Sequence, residues 1–410
     1  MYKDGLDPRY MKRAIELALT AKGHTNPNPL VGAVIVKDGR LIGEGCHQKY
    51  GGLHAERNAI KSLNESAEGA TIYVTLEPCC HYGKQPPCTI AVVEAGISRV
   101  VIGSRDPNPL VSGKGTAFLR DHGIEVIEDY LRDECDEINP VFFHYISNKE
   151  PYVALKYAMT ADGRIATDKG SSKWITGEKA REHVHELRSY YTGILAGIGT
   201  VLADDPLLNC RIEGGRNPVR IVMDSHLNIP LDSKLVRTTS EGPVIVACLD
   251  EYTNDNYLEK ESEETFAHKT DSSIDHFPTD KGLISEDKLI KAAKLKELGV
   301  QVLGVKKDDN GKHIDVKDLL KKLGKMQIDG ILVEGGGHIN ASFLKAGKVN
   351  KIYTFIGPQI IGGKGAFTPV GEMGIDEMSD SIRLSNPKVS SFDKDILIEY
   401  ETYRPKTIRL

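Results

Sequence analysis

The segment HAERNAI starts at His54, and TLEPCCHYGKQPPC runs from Thr75 to Cys88, so three of the seven cysteines crowd into one loop downstream of a histidine. The other four, Cys46, Cys135, Cys210 and Cys248, are scattered and the total is odd, which does not describe a disulfide framework. The tight group points instead to a metal. A zinc site that does catalysis keeps three protein ligands and leaves the fourth position to water, and His54, Cys79 and Cys88 would supply those three. Glu56, two residues beyond His54 at a helix start, is placed to serve as general acid/base without being forced to ligate. Placing Cys88 at a helix start should favour its thiolate. Two alternatives stand beside this reading: a structural zinc with Cys80 or His81 as fourth ligand, and buried thiols with no metal.

A chain of 410 residues exceeds one ordinary core, so two domains are expected. The first would span residues 1–147, with short apolar runs alternating with helical periods: a helix over Arg9 to Ala21, a hairpin turning at Asp38-Gly39, a helix from His54 to Leu63, a strand over Ala70 to Leu76, a helix from Cys88 to Ala95 and a strand over Arg99 to Ser104. The second would span 151–410 and open with the strand PYVALKYAM. Further strands are expected at Thr192 to Ile198, Pro218 to Asp224, Pro243 to Cys248, Val300 to Val305, Gly330 to Gly336 and Lys351 to Gly357. Both halves therefore read as α/β. The stretch Asp250 to Lys288 is polar and reads as a solvated insertion. A formal charge of -5 offers no footprint for a nucleic-acid backbone. No apolar run is long enough to span a bilayer and no leader pattern is present, so a cytoplasmic protein with no membrane partner is expected.

In the second half, KYAMTADGRIA (Lys156 to Ala166) precedes a helix carrying His183, His185 and Arg188 and a loop with the paired carboxylates Asp204-Asp205. These suggest a small-molecule site. Each also has an ordinary reading: Arg188 as a solvated helix residue, Trp174 as core filler, Asp204 as a cap or turn. Gly335-Gly336-Gly337, between a strand and a helix, would let backbone N–H groups approach a phosphate, although it is not GxGxxG and a ligand-free tight turn is equally consistent.

The zinc-deaminase signature is H-x-E followed by P-C-x-x-C. His54-Ala55-Glu56 and Pro78-Cys79 match it, but the next well-placed cysteine is Cys88, so the loop is longer. Together with TNPNPLVGAVIVKDG upstream, this long loop resembles the deaminase half of the bifunctional riboflavin-biosynthesis deaminase/reductase family. The resemblance extends over both halves, the polar insertion excepted. It implies a cytidine-deaminase-like three-layer domain followed by a dihydrofolate-reductase-like α/β domain, one zinc ion on His54, Cys79 and Cys88, Glu56 as proton shuttle, and NADPH as reductant. By motif position it further implies pyrimidine or phosphate contacts from Asn28, His47 and Lys84, though Asn28 could merely shape its turn and Lys84 could be a solvated loop lysine. Cofactor contacts would come from Met159, Trp174, Thr200, Asp204, Ser225, Gly336, Gly337, His338, Ile339 and Asn340. Ser172, Arg188, Leu208, Arg211 and Glu334 would grip substrate, with Lys156 assisting proton transfer. The partner would be a small pyrimidine ribotide, and the protein a homo-oligomer. Two rivals remain. A tRNA-editing type of deaminase would need a basic channel and leaves the second half unexplained. A non-catalytic binding protein would keep a structural zinc and a decayed reductase half, which Glu56 and the polar residues of that half speak against.

Overall fold

The computed structural model describes residues 6–82, 86–108, 111–253, 286–365, 367–385 and 387–402. It divides into two compact units, one of Met1–Tyr152 with Ser189–Thr192 and Leu323–Gly330, the other of Val153–Arg188, Gly193–Lys322 and Ile331–Leu410.

The first unit begins with α1 (Pro8–Leu19). Asp7 caps it by accepting from the Arg9 N–H, and Met11, Ala14 and Ala18 form its buried stripe. The hairpin β1 (Gly32–Lys37) and β2 (Arg40–Cys46) turns through Asp38 and Gly39, both at positive φ, as a two-residue hairpin turn requires. Next come α2 (Ala55–Lys61), β3 (Thr71–Leu76), α3 (Cys88–Glu94), β4 (Arg99–Ser104), α4 (Lys114–Asp121), β5 (Glu125–Ile127), α5 (Arg132–Glu137) and α6 (Pro140–Asn148). The sheet order is β2-β1-β3-β4-β5. Side chains alternate across it: Ala33 and Ile35 pack with Ala55, Ala59, Val92 and Leu119 of α2, α3 and α4, whereas Val34 and Val36 pack with Met11, Ala14 and Cys135 of α1 and α5. The result is three layers, helix, sheet and helix.

The second unit carries a nine-stranded sheet in the order β10-β9-β8-β7-β11-β6-β12-β14-β13. Its strands are β6 (Tyr152–Thr160), β7 (Gly193–Gly197), β8 (Val219–Met223), β9 (Val244–Leu249), β10 (Gln301–Val305), β11 (Gly330–Val333), β12 (Lys351–Gly357), β13 (Lys388–Phe392) and β14 (Asp395–Glu401). Neighbours from β10 through β11 pair in parallel, as do β6 and β12, and β14 and β13 close the edge antiparallel. Between strands lie α7 (Glu178–Tyr190) and α8 (Ile198–Asp204).

Several local expectations are corrected. β5, β13 and β14 lie outside the expected strands: β5 is three residues long, β13, KVSSF, is mostly exposed at an edge, and β14, DILIEYE, runs between β12 and β13 with Leu397 buried. Asp204 is not in a loop; it ends α8, and Asp205 caps that helix with φ 40°. The polar stretch is ordered at both ends. Asp250–Tyr252 forms a 3-10 turn, and Lys288 belongs to helix Glu286–Glu297, which buries Leu289, Ala292 and Leu295; residues 254–285 lie outside the described residues. No helix among the described residues is long and apolar enough to cross a membrane.

Helices α1 and α2 rest directly on the hairpin backbone, where a Cβ at Gly32 would collide with the Ala14 carbonyl and one at Gly45 with the Ala59 N–H. Gly32→Ala and Gly45→Ala are each expected to destabilise the first unit by about 1–3 kcal/mol through overpacking. Urea unfolding followed by a probe in that unit should show a lower midpoint with an unchanged slope.

Candidate active sites

In the first unit the chain leaves the sheet at the end of β3 and returns into α3, and Cys79 and Cys88 bracket that excursion. Glu77 secures its start: the buried carboxylate accepts from the backbone of Gly113 at 3.1 Å and Thr116 at 3.4 Å, where α4 begins. Arg57 secures its end by donating to the carbonyls of Pro86 at 3.2 Å and Pro87 at 2.9 Å, just ahead of Cys88. His54 caps α2 with extended backbone, so its ring turns back toward the cysteines.

The three side chains converge. His54 Nδ1 lies 3.5 Å from Cys79 Sγ and 3.2 Å from Cys88 Sγ, and all three ligand atoms fall within 4.8 Å of one another. Tetrahedral zinc, with bonds of about 2.3 Å to sulfur and 2.0–2.1 Å to nitrogen, sets nitrogen and sulfur about 3.5 Å apart, so the residues fit the ion. Neither Cys80 nor His81 joins this group, which leaves the structural-zinc alternative without its fourth ligand among the described residues.

Charge is distributed differently from expectation. The first N–H of α3, that of Cys88, donates to Cys79 Sγ at 3.4 Å. The helix start therefore supports the thiolate of Cys79. Hydrogen bonds from Cys88 and then His54 outweigh burial and hold Cys79 at about 4, while its bond to Cys79 and burial push Cys88 well up. Glu56 is 3% exposed and in hydrogen-bond contact with Cys88. Burial, then the Cys79 charge, raise its carboxyl. Such a group can both release and recapture a proton.

Asn28 and His47 adjoin the cluster. The Leu53 carbonyl can only accept, so His47 Nδ1 carries the proton at 3.0 Å from it, and Nε2 accepts from the Asn28 amide at 3.2 Å. That leaves the Asn28 carbonyl oxygen for a ligand. The His47 and His54 rings meet edge to face at 5.5 Å, and burial lowers His47, keeping it neutral. Lys84 lies outside the described residues.

In the second unit the candidates gather where neighbouring parallel strands end, the usual ligand edge of such sheets. Ser225 follows β8, Thr200 follows β7, Glu334 and the glycines follow β11, and Met159 lies at the end of β6. Arg188 grips Glu334 bidentately, Nε to Oε1 at 2.7 Å and Nη2 to Oε2 at 3.0 Å, and Lys156 Nζ stands 3.5 Å from Oε2. Arg188 is thus no solvated helix residue. Burial alone would raise Glu334, but Arg188 and then Lys156 overcome it and hold the carboxyl at about 2.

Trp174 is 64% exposed, with Arg181 stacked 4.5 Å from its ring centre, so it does not fill a core. Lys173 pairs with Asp204 at 3.2 Å. Of the three glycines, a Cβ at Gly335 would collide with Ile339 and one at Gly337 with the Thr368 carbonyl, whereas one at Gly336 would meet open space. Protein packing thus accounts for two glycines and leaves Gly336 as the place a ligand can approach. Ile339 fills room that Gly197 and Gly335 leave, so its side chain is engaged; Asn340 donates to the Pro369 carbonyl at 2.8 Å while its buried Oδ1 has no partner among the described residues, and His338 is exposed. Leu208 is buried in the core at φ 50°, which leaves only its backbone to touch a ligand. Met159, Ser172, Thr200 and Ser225 are half-buried and Arg211 is exposed. Glu77, Arg57 and His185 escaped the sequence reading as positioning groups. The first two flank recognised motif residues, but their partners are backbone groups that no pattern reveals.

Fold and geometry together define a zinc-dependent deaminase unit joined to a reductase unit. Residues 5–104 match the cytidine and deoxycytidylate deaminase zinc-binding region, and residues 151–398 match the RibD C-terminal domain. The riboflavin biosynthesis protein RibD of Actinobacillus pleuropneumoniae is 46% identical over 404 residues, 98% of this chain and 97% of the relative. Among solved structures, Acinetobacter baumannii RibD superposes with a TM-score of 0.79 at 35% identity, covering 97% of this chain and 98% of that one. A Thermotoga maritima diaminohydroxyphosphoribosylaminopyrimidine deaminase/5-amino-6-(5-phosphoribosylamino)uracil reductase gives 0.76 at 39%, covering 96% and 98%. The chain belongs to the RibD family, the bifunctional deaminase/reductases of riboflavin biosynthesis. Its first domain is cytidine-deaminase-like, and its second is the dihydrofolate-reductase-like domain that works with NAD(P)H.

The depressed carboxyl of Glu334 makes stability depend on pH. The contribution is complete above about 4.5, the ordinary carboxyl value, and is lost as pH falls toward about 2. Acid titration of the second unit should show a loss of up to about 3 kcal/mol across that window, absent in Glu334→Gln.

Proposed function

We propose that the first unit hydrolyses the 2-amino group of 2,5-diamino-6-ribosylamino-4(3H)-pyrimidinone 5′-phosphate, and that the second reduces the ribosyl group of the product, 5-amino-6-(5-phosphoribosylamino)uracil, to the ribityl form with NADPH. The observation that carries the reading is the His54, Cys79 and Cys88 triangle with the buried carboxyl of Glu56 against it. His54, Cys79 and Cys88 would hold the zinc ion, which when bound makes water nucleophilic near neutral pH. The water oxygen joins C2 and the amino group departs as ammonia. Glu56 takes the proton from the water and passes it to the departing nitrogen, and its raised carboxyl suits both halves of that transfer. Asn28, oriented by His47, offers its free carbonyl oxygen to the pyrimidine edge. Lys84 belongs to the same proposal as a phosphate contact.

In the second unit NADPH, when bound, would supply the hydride for C1 of the sugar, and the protein's task is orientation. Lys156 protonates the ring oxygen as the sugar opens, from its position beside Glu334. Met159, Trp174, Thr200, Asp204, Ser225 and the turn Gly336–Asn340 face the cofactor. Ser172, Arg188, the Leu208 backbone and Arg211 receive the ribose phosphate, for which guanidinium groups are suited by bidentate, charge-assisted bonding. A cytoplasmic homo-oligomer is the setting that goes with this reading, supported by the family likeness.

Glu56→Gln tests it. Bound zinc and NADPH oxidation with the deaminated intermediate should persist, while ammonia release falls by at least roughly 100-fold. Wild type that binds zinc but releases no ammonia from the diaminopyrimidinone ribotide would refute the deaminase assignment.

A further inference from the structure

α7 presents His185 and Arg188, one turn apart, to the segment Asn209–Arg211 that follows α8. Three consecutive residues of that segment are fastened there. The Asn209 carbonyl accepts from Arg188 Nη1 at 3.0 Å, Cys210 Sγ donates to the His185 carbonyl at 3.4 Å, and Arg211 Nε donates to His185 Nε2 at 3.1 Å. A guanidinium N–H can only donate, so Nε2 offers its lone pair and the ring proton sits on Nδ1. Burial, followed by the charges of Arg188 and Arg211, holds His185 down at about 4, which keeps this acceptor available at neutral pH.

An arginine can meet a phosphate side-on, through Nε and one terminal nitrogen, or end-on through both terminal nitrogens. With Nε spent on His185, the end-on fork of Arg211 is left for a phosphate, and Arg211 is exposed. An exposed arginine otherwise samples many rotamers, and fixing one beforehand reduces the entropy lost on binding. We propose that His185 is a positioning residue of the reductase site, holding Arg211 through Nε so that its terminal nitrogens form a preset fork for the 5′-phosphate of the ribotide. This rests on Arg211 being a phosphate contact. His185 itself touches neither substrate nor cofactor.

The test is steady-state reduction by the full-length, zinc-loaded enzyme, using 5-amino-6-(5-phosphoribosylamino)uracil and the same compound without its phosphate. His185→Leu should raise KM for the phosphorylated substrate roughly ten-fold, with the loss in KM rather than kcat, and should leave KM for the dephosphorylated compound within about two-fold of wild type. His185→Gln, whose amide oxygen can accept from Nε, should recover KM to within about three-fold. His185→Asn, polar but too short, should behave like the leucine variant and serves in its place if that variant does not fold. Ammonia release measured in parallel checks the integrity of each preparation. Equal KM increases for both substrates, an effect confined to kcat, or no recovery with glutamine would overturn the positioning role. Arg211→Gln separates the two layers. If it leaves KM for the phosphorylated substrate unchanged, the phosphate reading of Arg211 fails; if it raises KM while His185→Leu does not, only the role of His185 fails.

Discussion

Two helix starts, those of α2 and α3, must meet around one small volume for the first catalytic centre to exist, and much of the surrounding unit serves that meeting. The glycine at position 45 lets α2 settle on the hairpin backbone, which brings His54 into place. Glu77 ties the Cys79 turn to the start of α4, and Arg57 ties the two carbonyls preceding Cys88. The cost of this convergence is electrostatic. Two cysteine sulfurs and a carboxyl share a buried space, and among the described residues the His54 ring and the Cys88 N–H lie against them. The arrangement is poorly compensated without a cation, which is the physical reason the donor set suits zinc.

The second site follows another principle. Its groups arrive as a row along one edge of a parallel sheet, where each strand end contributes one or two residues. At the centre, Glu334 is buried between Arg188 and Lys156. Set against apolar side chains of similar volume, a buried ion pair gains little, even though breaking it by protonation is costly, so the pair is better understood as an orienting device. Here the carboxylate directs a guanidinium and an ammonium to one place, and α7 directs a second guanidinium through His185. The positive groups suit a phosphate, and the Gly336 turn, where a Cβ would meet open space, suits another.

Much of this was legible in the chain itself. The His54-Ala55-Glu56 and Pro78-Cys79 spacing pointed to the metal cluster and to the carboxyl proposed as acid/base, and hydrophobic alternation located most strands, because both are short-range patterns. The edge strand β13 was not legible, since an exposed strand needs no apolar alternation. Trp174 and Arg188 each had an ordinary reading that local sequence could not dismiss, as exposure and pairing depend on residues far along the chain. Leu208 and Ile339 show the reverse: motif position suggested ligand contact, while packing engages their side chains and leaves their backbone to meet a ligand.

The sequence by itself determined the chemistry on offer: a histidine, two cysteines and a glutamate at ligand spacing, glycines between a strand and a helix, and arginines in a second α/β half. Only the tertiary structure decided how that chemistry is allocated. The α3 N–H points at Cys79, one glycine of three lies open to a ligand, and Arg211 has one edge held. Such allocation depends on burial and on hydrogen-bond direction, which are set by groups that the fold alone brings together.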